Sequence, residues 1–264
     1  MDTSEEHRAV THRDNFGPSY RGVPIHTLPG IHEHSLILKY VPPVAEIVEL
    51  GAGSGAMTLR LIDSGFKVTP VELDAENWKL SLKPLLADFN KVGWEGELFH
   101  GKRFKAAVAI ETIEHLENPS KFFRDLAALI DPEGALIITT PNILFYDSLM
   151  LAVARGHFCM YSPEECFTTG HITVLPWWLT KHLAENNGFT LESISGACPL
   201  PILDTSPDAV PKKKSLLMTA RAHFWTLRSK ILRRIVERQY GCAKDPNRKI
   251  VKDCTNIIFV FRKR

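Results

Sequence analysis

Val48 to Gly55 reads V-E-L-G-A-G-S-G, the end of an apolar run that carries one acid and then three glycines at alternate positions. The stretch Val44 to Leu50 predicts a buried first strand. Glycines just past a strand end let the backbone turn sharply and come close to a ligand, because no side chain intervenes. Gly51, Gly53 and Ala56 also fit the G-x-G-x-x-G/A fingerprint of dinucleotide binders. Glu49 weighs between the two readings on electrostatic grounds. A diphosphate lying over this turn would be repelled by a carboxylate two residues before the first glycine, whereas a ligand that presents an ammonium group would be attracted.

Strand-like and helix-like segments alternate along the chain, as a parallel sheet requires, because parallel neighbours need a crossover between them. Pro29 to Tyr40 predicts a helix before the first strand, and Ser54 to Ser64 a helix after the glycine loop. Phe66 to Val71 predicts a second strand ending at Glu72, and Phe104 to Ile110 a fourth. Pro119 to Ile130 places Phe122, Phe123, Leu126, Leu129 and Ile130 at helical spacing, and Asp131-Pro132-Glu133-Gly134 stops that helix. Ala135 to Thr140 then reads as the fifth strand. Trp177 to Asn187 repeats helical spacing before Gly188, a residue type that ends helices in a left-handed conformation. Phe189 to Ser195 and Thr255 to Arg262 supply the last two strands. The segment from Glu72 to Asp88 is short for a full helix plus a strand.

With 264 residues, 44% of them apolar, the chain can bury the core of one α/β domain. A formal net charge of +2 singles out neither nucleic acid nor a highly charged partner. The five cysteines are odd in number and contain no C-x-x-C pair, which argues against a disulfide framework or a cysteine zinc site and for a reducing compartment. Met1 to Val10 is polar and acidic. No run approaches the ~18 apolar residues of a membrane span, so a cytoplasmic protein without a transmembrane segment is expected.

From Val44 to Ser195 the chain resembles the class I S-adenosylmethionine-dependent methyltransferases. The resemblance implies a Rossmann-like, doubly wound α/β fold with a seven-stranded, mostly parallel sheet whose last strand is antiparallel and inserts beside the sixth. It divides the chain into a cap with its first helix (1–43) and a methyltransferase domain (44–264). S-adenosylmethionine is the implied cofactor. Glu49 is then directed toward the methionine amino group, and Gly51, Ala52, Gly53 and Gly55 line the methionine and ribose. Glu72 accepts the ribose hydroxyls, Leu73 lies under the adenine, and Asp88 and Phe89 give the adenine an acceptor and an apolar wall. Ile110 and Glu111 touch the cofactor where the fourth strand ends.

Glu111-Thr112-Ile113-Glu114-His115 follows that strand immediately, and strand carboxyl ends face the ligand crevice of an open α/β sheet. With Leu116-Glu117-Asn118-Pro119, Thr139-Thr140-Pro141-Asn142, Gly170-His171 and Trp178-Leu179-Thr180, it resembles the subgroup of ubiquinone-biosynthesis O-methyltransferases and related bacterial small-molecule enzymes. Methyl transfer needs a nucleophile held in line and relieved of its proton. With an unperturbed pKa of ~6.5, His115 or His171 suits that removal, and a hydroxyl needs it more than an amine or thiol does. The resemblance also implies a hard-cation site, with Glu111, Glu114, His115 and His171 as ligands and magnesium gripping substrate oxygens. The competing reading has Glu114 and His115 capping a helix or bracing a loop. His32 and His34 either border the site from the leading helix or serve in solvation and packing. Asn142 is a candidate for positioning substrate.

A basic insertion at about 205–250 separates the last two strands. Lys212 to Arg238 holds nine basic residues against one acid, Glu237, and its apolar residues recur at intervals of three or four, which predicts an amphipathic helix. Such a helix contacts anionic lipid, binds a phosphorylated or nucleic-acid substrate, or packs on the core or a second copy. The leading functional expectation is O-methylation of a small-molecule, glycan-precursor or lipid-linked acceptor. The alternatives are an NAD(P)-dependent oxidoreductase and a non-catalytic binding protein that keeps the fold. Oligomeric state is not legible.

Overall fold

The computed structural model describes residues 19–26, 31–43, 46–197 and 254–264. A short hairpin, β1 (Ser19–Tyr20) and β2 (Val23–Pro24), precedes helix α1 (Ile31–Tyr40). Then follow β3 (Glu46–Leu50), α2 (Ala56–Asp63), β4 (Lys67–Glu72), β5 (Leu85–Leu86), α3 (Trp94–Phe99), β6 (Phe104–Ala109), α4 (Pro119–Leu129) and β7 (Ile130–Pro141). Helices α5 (Tyr146–Arg155), α6 (Pro163–Thr168) and α7 (Trp177–Asn186) lead to β8 (Phe189–Ala197) and β9 (Asn256–Lys263). The seven-stranded sheet has the order β5-β4-β3-β6-β7-β9-β8. Strands β3 to β7 pair in parallel, as the alternating segments predict, and β9 is antiparallel to both β7 and β8, as the family resemblance implies.

The core explains the apolar runs. Successive residues of one strand point to opposite faces, and both faces of this sheet are covered. Val48 and Leu50 join one cluster with Phe122, Phe123 and Leu126 of α4, while Ile47 joins the other with Ile37 of α1 and Met57 and Leu61 of α2. The middle strand β6 contributes Ala106, Ala107 and Ala109, small side chains that let helices approach on either side. Phe259 and Phe261 face the α4 side from β9 and Ile258 the α1 side, so the antiparallel strand is buried on both faces too. Helix α4 starts where Asn118 Oδ1 accepts the Lys121 N–H at 2.9 Å with Pro119 in the first turn, a side-chain cap in front of an amphipathic run.

Several boundaries differ from expectation. Asp131-Pro132-Glu133-Gly134 does not separate α4 from the fifth strand; β7 begins at Ile130 and absorbs the four residues as an irregularity. Its pairing with β6 jumps from Phe104–Ile130 to Ala106–Ala135. A Cβ at Gly134 would lie 2.5 Å from Ile130 Cγ2, so only glycine fits the tight fold-back. No helix bridges β4 and β5 among residues 73–84, and β5 is two residues long, in keeping with the shortness of that segment. Residues 143–169, for which the sequence pattern predicts no element, contain α5 and α6. Cys159 and Cys166 are free thiols, but Cys254 is disulfide-bonded. An odd count without C-x-x-C argues against a framework of disulfides and leaves room for a single one. The whole basic insertion at about 205–250, with its segment 212–238, lies outside the described residues.

Candidate active site

The strand order reverses between β3 and β6, and a sheet of this kind offers its ligand crevice just beyond the carboxyl ends of the two strands that diverge. The glycine loop leaves β3 there. Gly51, Gly53 and Gly55 all have positive φ, at 71°, 57° and 91°. A Cβ on Gly51 would lie 2.3 Å from Thr112 Oγ1, whose hydroxyl also contacts the carbonyls of Leu50 and Ile110 and so ties the ends of β3 and β6 together. Gly53 differs, because a Cβ there would meet nothing within 4 Å. Its backbone conformation calls for glycine while the space above it stays open. Glu72 holds the loop from β4: its Oε2 accepts the Gly53 N–H at 2.5 Å and its Oε1 the Leu73 N–H at 2.9 Å.

A cavity of about 240 Å³ lies at this point, lined by Glu49, Gly51, Ala52, Gly53, Ile110, Glu111 and His115 among the residues the sequence singles out. Glu49 is buried, and its Oε2 accepts the Thr58 hydroxyl at 2.5 Å. Burial pushes its carboxyl up to about 8, and the Glu72 charge pushes in the same direction. Pro24, Ile25 and His26 from the end of the hairpin complete the wall, with His34 from α1 and Ser54, Ala56 and Met57. The hairpin is held in place by the Ser54 hydroxyl, which donates to the Pro24 carbonyl at 2.5 Å, and by Arg21 on Asp63 at 2.8 Å. Sequence reading misses Pro24, Ile25 and His26, because two-residue strands carry no periodic signal.

At the far wall, Glu111 has a φ of +46°, a left-handed backbone that costs a residue with a side chain roughly 1–3 kcal/mol. Two bonds to one hydroxyl fix it: Glu111 N–H donates to Thr139 Oγ1 at 3.1 Å, and that hydroxyl donates to Glu111 Oε1 at 2.9 Å. Burial, then the nearby Glu114 and Glu33 carboxyls, raise the Glu111 pKa well above the carboxylate range. Glu33, fully buried on α1, accepts from Asn256 Nδ2 at 3.3 Å, so α1, β9 and the loop after β6 meet around acids. Glu114 is fully buried, neither carboxyl oxygen has a hydrogen-bond partner among the described residues, and burial pushes it up to about 8.

The Glu114 carbonyl accepts the N–H groups of Ile172 and Thr173 at 3.1 and 2.9 Å, which carries His171 to the loop after β6. The rings of His115 and His171 sit edge to face with centroids 4.8 Å apart. His171 Nδ1 is 2.8 Å from the Met160 carbonyl, which can only accept, so the proton is on Nδ1 and the Nε2 lone pair is left for other use. Burial lowers both imidazoles, most strongly among their causes, and both are therefore neutral at pH 7. One ligand atom from each of Glu114, His115 and His171 lies within 4.8 Å of the others. Glu111 is not in that trio.

The remaining candidates lie outside the cavity lining. Gly55 starts α2, and a Cβ there would press on Leu80 at 2.9 Å. Leu73 is 61% exposed directly after Glu72. Asp88 Oδ1 accepts the Asn90 N–H at 2.9 Å in a local turn, and Phe89 is buried against Trp94 and Phe122, with centroids 4.7 and 5.5 Å away. Asn142 donates to the Cys254 carbonyl at 2.7 Å and accepts the Leu144 N–H, which fastens the end of β7 to β9.

Residues 31–194 match a methyltransferase domain family. The chain is 26% identical over 155 residues to a ubiquinone biosynthesis O-methyltransferase of Rickettsia bellii, covering 57% of this chain and 64% of that protein. A mitochondrial ubiquinone biosynthesis O-methyltransferase of Arabidopsis thaliana is 29% identical over 104 residues, 37% of this chain and 32% of that protein. The chain thus spans less than two thirds of the length of either relative. A SAM-dependent methyltransferase structure from Archaeoglobus fulgidus superposes with a TM-score of 0.57 at 13% identity, covering 88% of this chain and 91% of that one. One from Thermotoga maritima, a possible histamine N-methyltransferase, gives 0.53 at 12% identity, covering 89% of each chain. At such identities the likeness is one of fold. The chain belongs to the methyltransferase domain family, and it has the Rossmann-like fold of the class I S-adenosylmethionine-dependent methyltransferases.

Proposed function

We propose that the protein transfers a methyl group from S-adenosylmethionine to a hydroxyl oxygen of a small-molecule or lipid-like acceptor. The observation that carries this reading is the cavity at the switch point, with the buried Glu49 carboxyl in its wall and Glu111 and His115 opposite. The cofactor fits the residues present: the space above Gly53 is open, and a buried acid awaits a cationic partner. S-adenosylmethionine supplies an electrophilic methyl on a sulfonium. This chain's part is to hold and to deprotonate. Glu49 accepts the ammonium, Glu72 keeps acceptor capacity for ribose hydroxyls beside its two backbone bonds, and Leu73 offers an exposed apolar surface next to it. His115, neutral at pH 7, takes the proton of the acceptor hydroxyl. The oxidoreductase alternative would set a diphosphate above Glu49 and Glu72, and the family match speaks against it.

Glu114, His115 and His171 form a two-imidazole, one-carboxylate set that fits a divalent ion. The unpartnered Glu114 oxygens support such an ion, and the two nitrogen ligands favour a borderline transition metal over magnesium, which prefers an all-oxygen shell. An ion held there would lower the pKa of a coordinated acceptor hydroxyl. In that case His115 serves as ligand and base duty passes elsewhere. No helix of the described residues is long and apolar enough to cross a membrane. On charge alone, the basic run 212–238 suits contact with an anionic surface or acceptor, and 44–264 is proposed as one domain carrying that insertion. Calorimetry with purified protein tests the core of the proposal. S-adenosylhomocysteine should bind and nicotinamide cofactors should not, and the reverse pattern would overturn it.

A further inference from the structure

His34 is buried on α1, and its ring lines the same cavity as Glu49, Met57 and Gly51. Nδ1 is enclosed and has no hydrogen-bond partner among the described residues. A stranded N–H is costlier than a bare lone pair, so the proton belongs on Nε2. Nε2 is not among the enclosed atoms that lack a partner, and with Nδ1 sealed it is the ring nitrogen left to meet the cavity that His34 lines. Burial, reinforced by the nearby Arg60 charge, depresses the imidazole to about 3, so His34 presents a neutral N–H donor across the working pH range.

The proposed cofactor, whose ammonium Glu49 receives, ends in an amino acid, and its carboxylate is attached to the same carbon as that ammonium. That carboxylate needs donors, and the described lining of the cavity contains no lysine or arginine. Its side-chain donors are Ser54, His26, His34 and His115. The Ser54 hydroxyl is committed to the Pro24 carbonyl, His26 is exposed on the hairpin, and His115 stands on the loop after β6 beside Glu111. We infer that His34 is the positioning residue that donates a hydrogen bond to the carboxylate of the cofactor's amino-acid moiety, an inference that rests on the proposed cofactor. With Glu49 it reads both charges of the zwitterion. It thereby fixes the methionine arm and, through it, the direction of the sulfonium.

A cycle of ligand and protein truncations tests this. Calorimetry compares S-adenosylhomocysteine with S-adenosyl-3-thiopropylamine, which lacks only the carboxyl group, on the wild type, His34→Phe and His34→Gln, each checked for folding by circular dichroism. His34→Phe should weaken S-adenosylhomocysteine about tenfold, the size of one charge-assisted hydrogen bond, and leave the amine within about twofold. His34→Gln, which keeps an N–H, should retain more of the affinity than His34→Phe. Equal losses with both ligands would show that His34 only packs, and unchanged affinity for both would likewise overturn the assignment. A wild type that binds neither ligand would overturn the cofactor reading itself, and this inference with it.

Discussion

Binding of the cofactor should release a proton from Glu49. In the unliganded cavity burial holds this carboxyl at about 8. At pH 7 about one molecule in ten then carries the carboxylate, and at pH 6 about one in a hundred. An ammonium seeks the ionised form, so the apparent affinity for S-adenosylhomocysteine should rise about tenfold from pH 6 to pH 7, or about 1.4 kcal/mol. The ligand's own α-amino group, with a usual pKa of about 7.7–8.0, stays largely protonated over that window. His34, at about 3, does not titrate in it. Glu114 also titrates near 8 but lies outside the cavity lining, and Glu49→Gln separates the two contributions. Glutamine imitates the protonated acid, so the variant should bind with a nearly flat pH profile that the wild type approaches at low pH. The assay is calorimetry at pH 6.0, 6.5 and 7.0 in two buffers of different ionisation enthalpy, which counts the released protons directly at about 0.9 per ligand at pH 7. Equal dissociation constants at pH 6 and 7, with no dependence of the heat on buffer, would refute the reasoning.

Other outcomes are expected from the same structure. The unliganded protein should lose stability as pH rises from about 4.5 toward 8, because native Glu49 retains a proton that the unfolded chain gives up; the melting temperature should therefore fall between pH 5 and pH 8, and less so in Glu49→Gln. Gly51→Ala should lower the melting temperature more than Gly53→Ala, since both pay for positive φ but only the first also drives a Cβ into Thr112. Glu72→Ala should weaken S-adenosylhomocysteine at least about tenfold in calorimetry by freeing the loop and removing an acceptor, whereas His115→Ala should leave that affinity unchanged and slow turnover by about 10²–10⁴. Phe123→Ala, at a fully buried site between α4 and β9, should cost about 3–5 kcal/mol in denaturant unfolding.

The sheet was legible because its strands are covered on both faces and read as unbroken apolar runs, and the switch point because a ligand loop of glycines follows the first of them. The acids and histidines after β6 were legible as a group through their place at a strand end. Their internal arrangement was not, since His171 is brought to His115 by backbone bonds to the Glu114 carbonyl, which no spacing announces. Phe89 shows another limit: an apolar residue beside an acid reads equally well as a ligand wall or as core, and in the structure it is buried in the core cluster on the α4 side of the sheet. Helix α6 did leave a signal, the Ser162-x-x-Glu165 capping box that the structure forms in full. Asp131-Pro132-Glu133-Gly134 read as the stop of the preceding helix, which does end at Leu129, but nothing in those four residues showed that β7 would start at Ile130 and take them in as a bulge.

A crystal structure of the complex with S-adenosylhomocysteine tests the central claim most directly. The ligand's amino nitrogen should lie within about 3 Å of a Glu49 carboxyl oxygen, a hydrogen-bond distance, with its ribose hydroxyls at Glu72 and its sulfur directed toward Ile110 and Glu111. A ligand found elsewhere, or one seated in the cavity with its amino group turned away from Glu49, would contradict it.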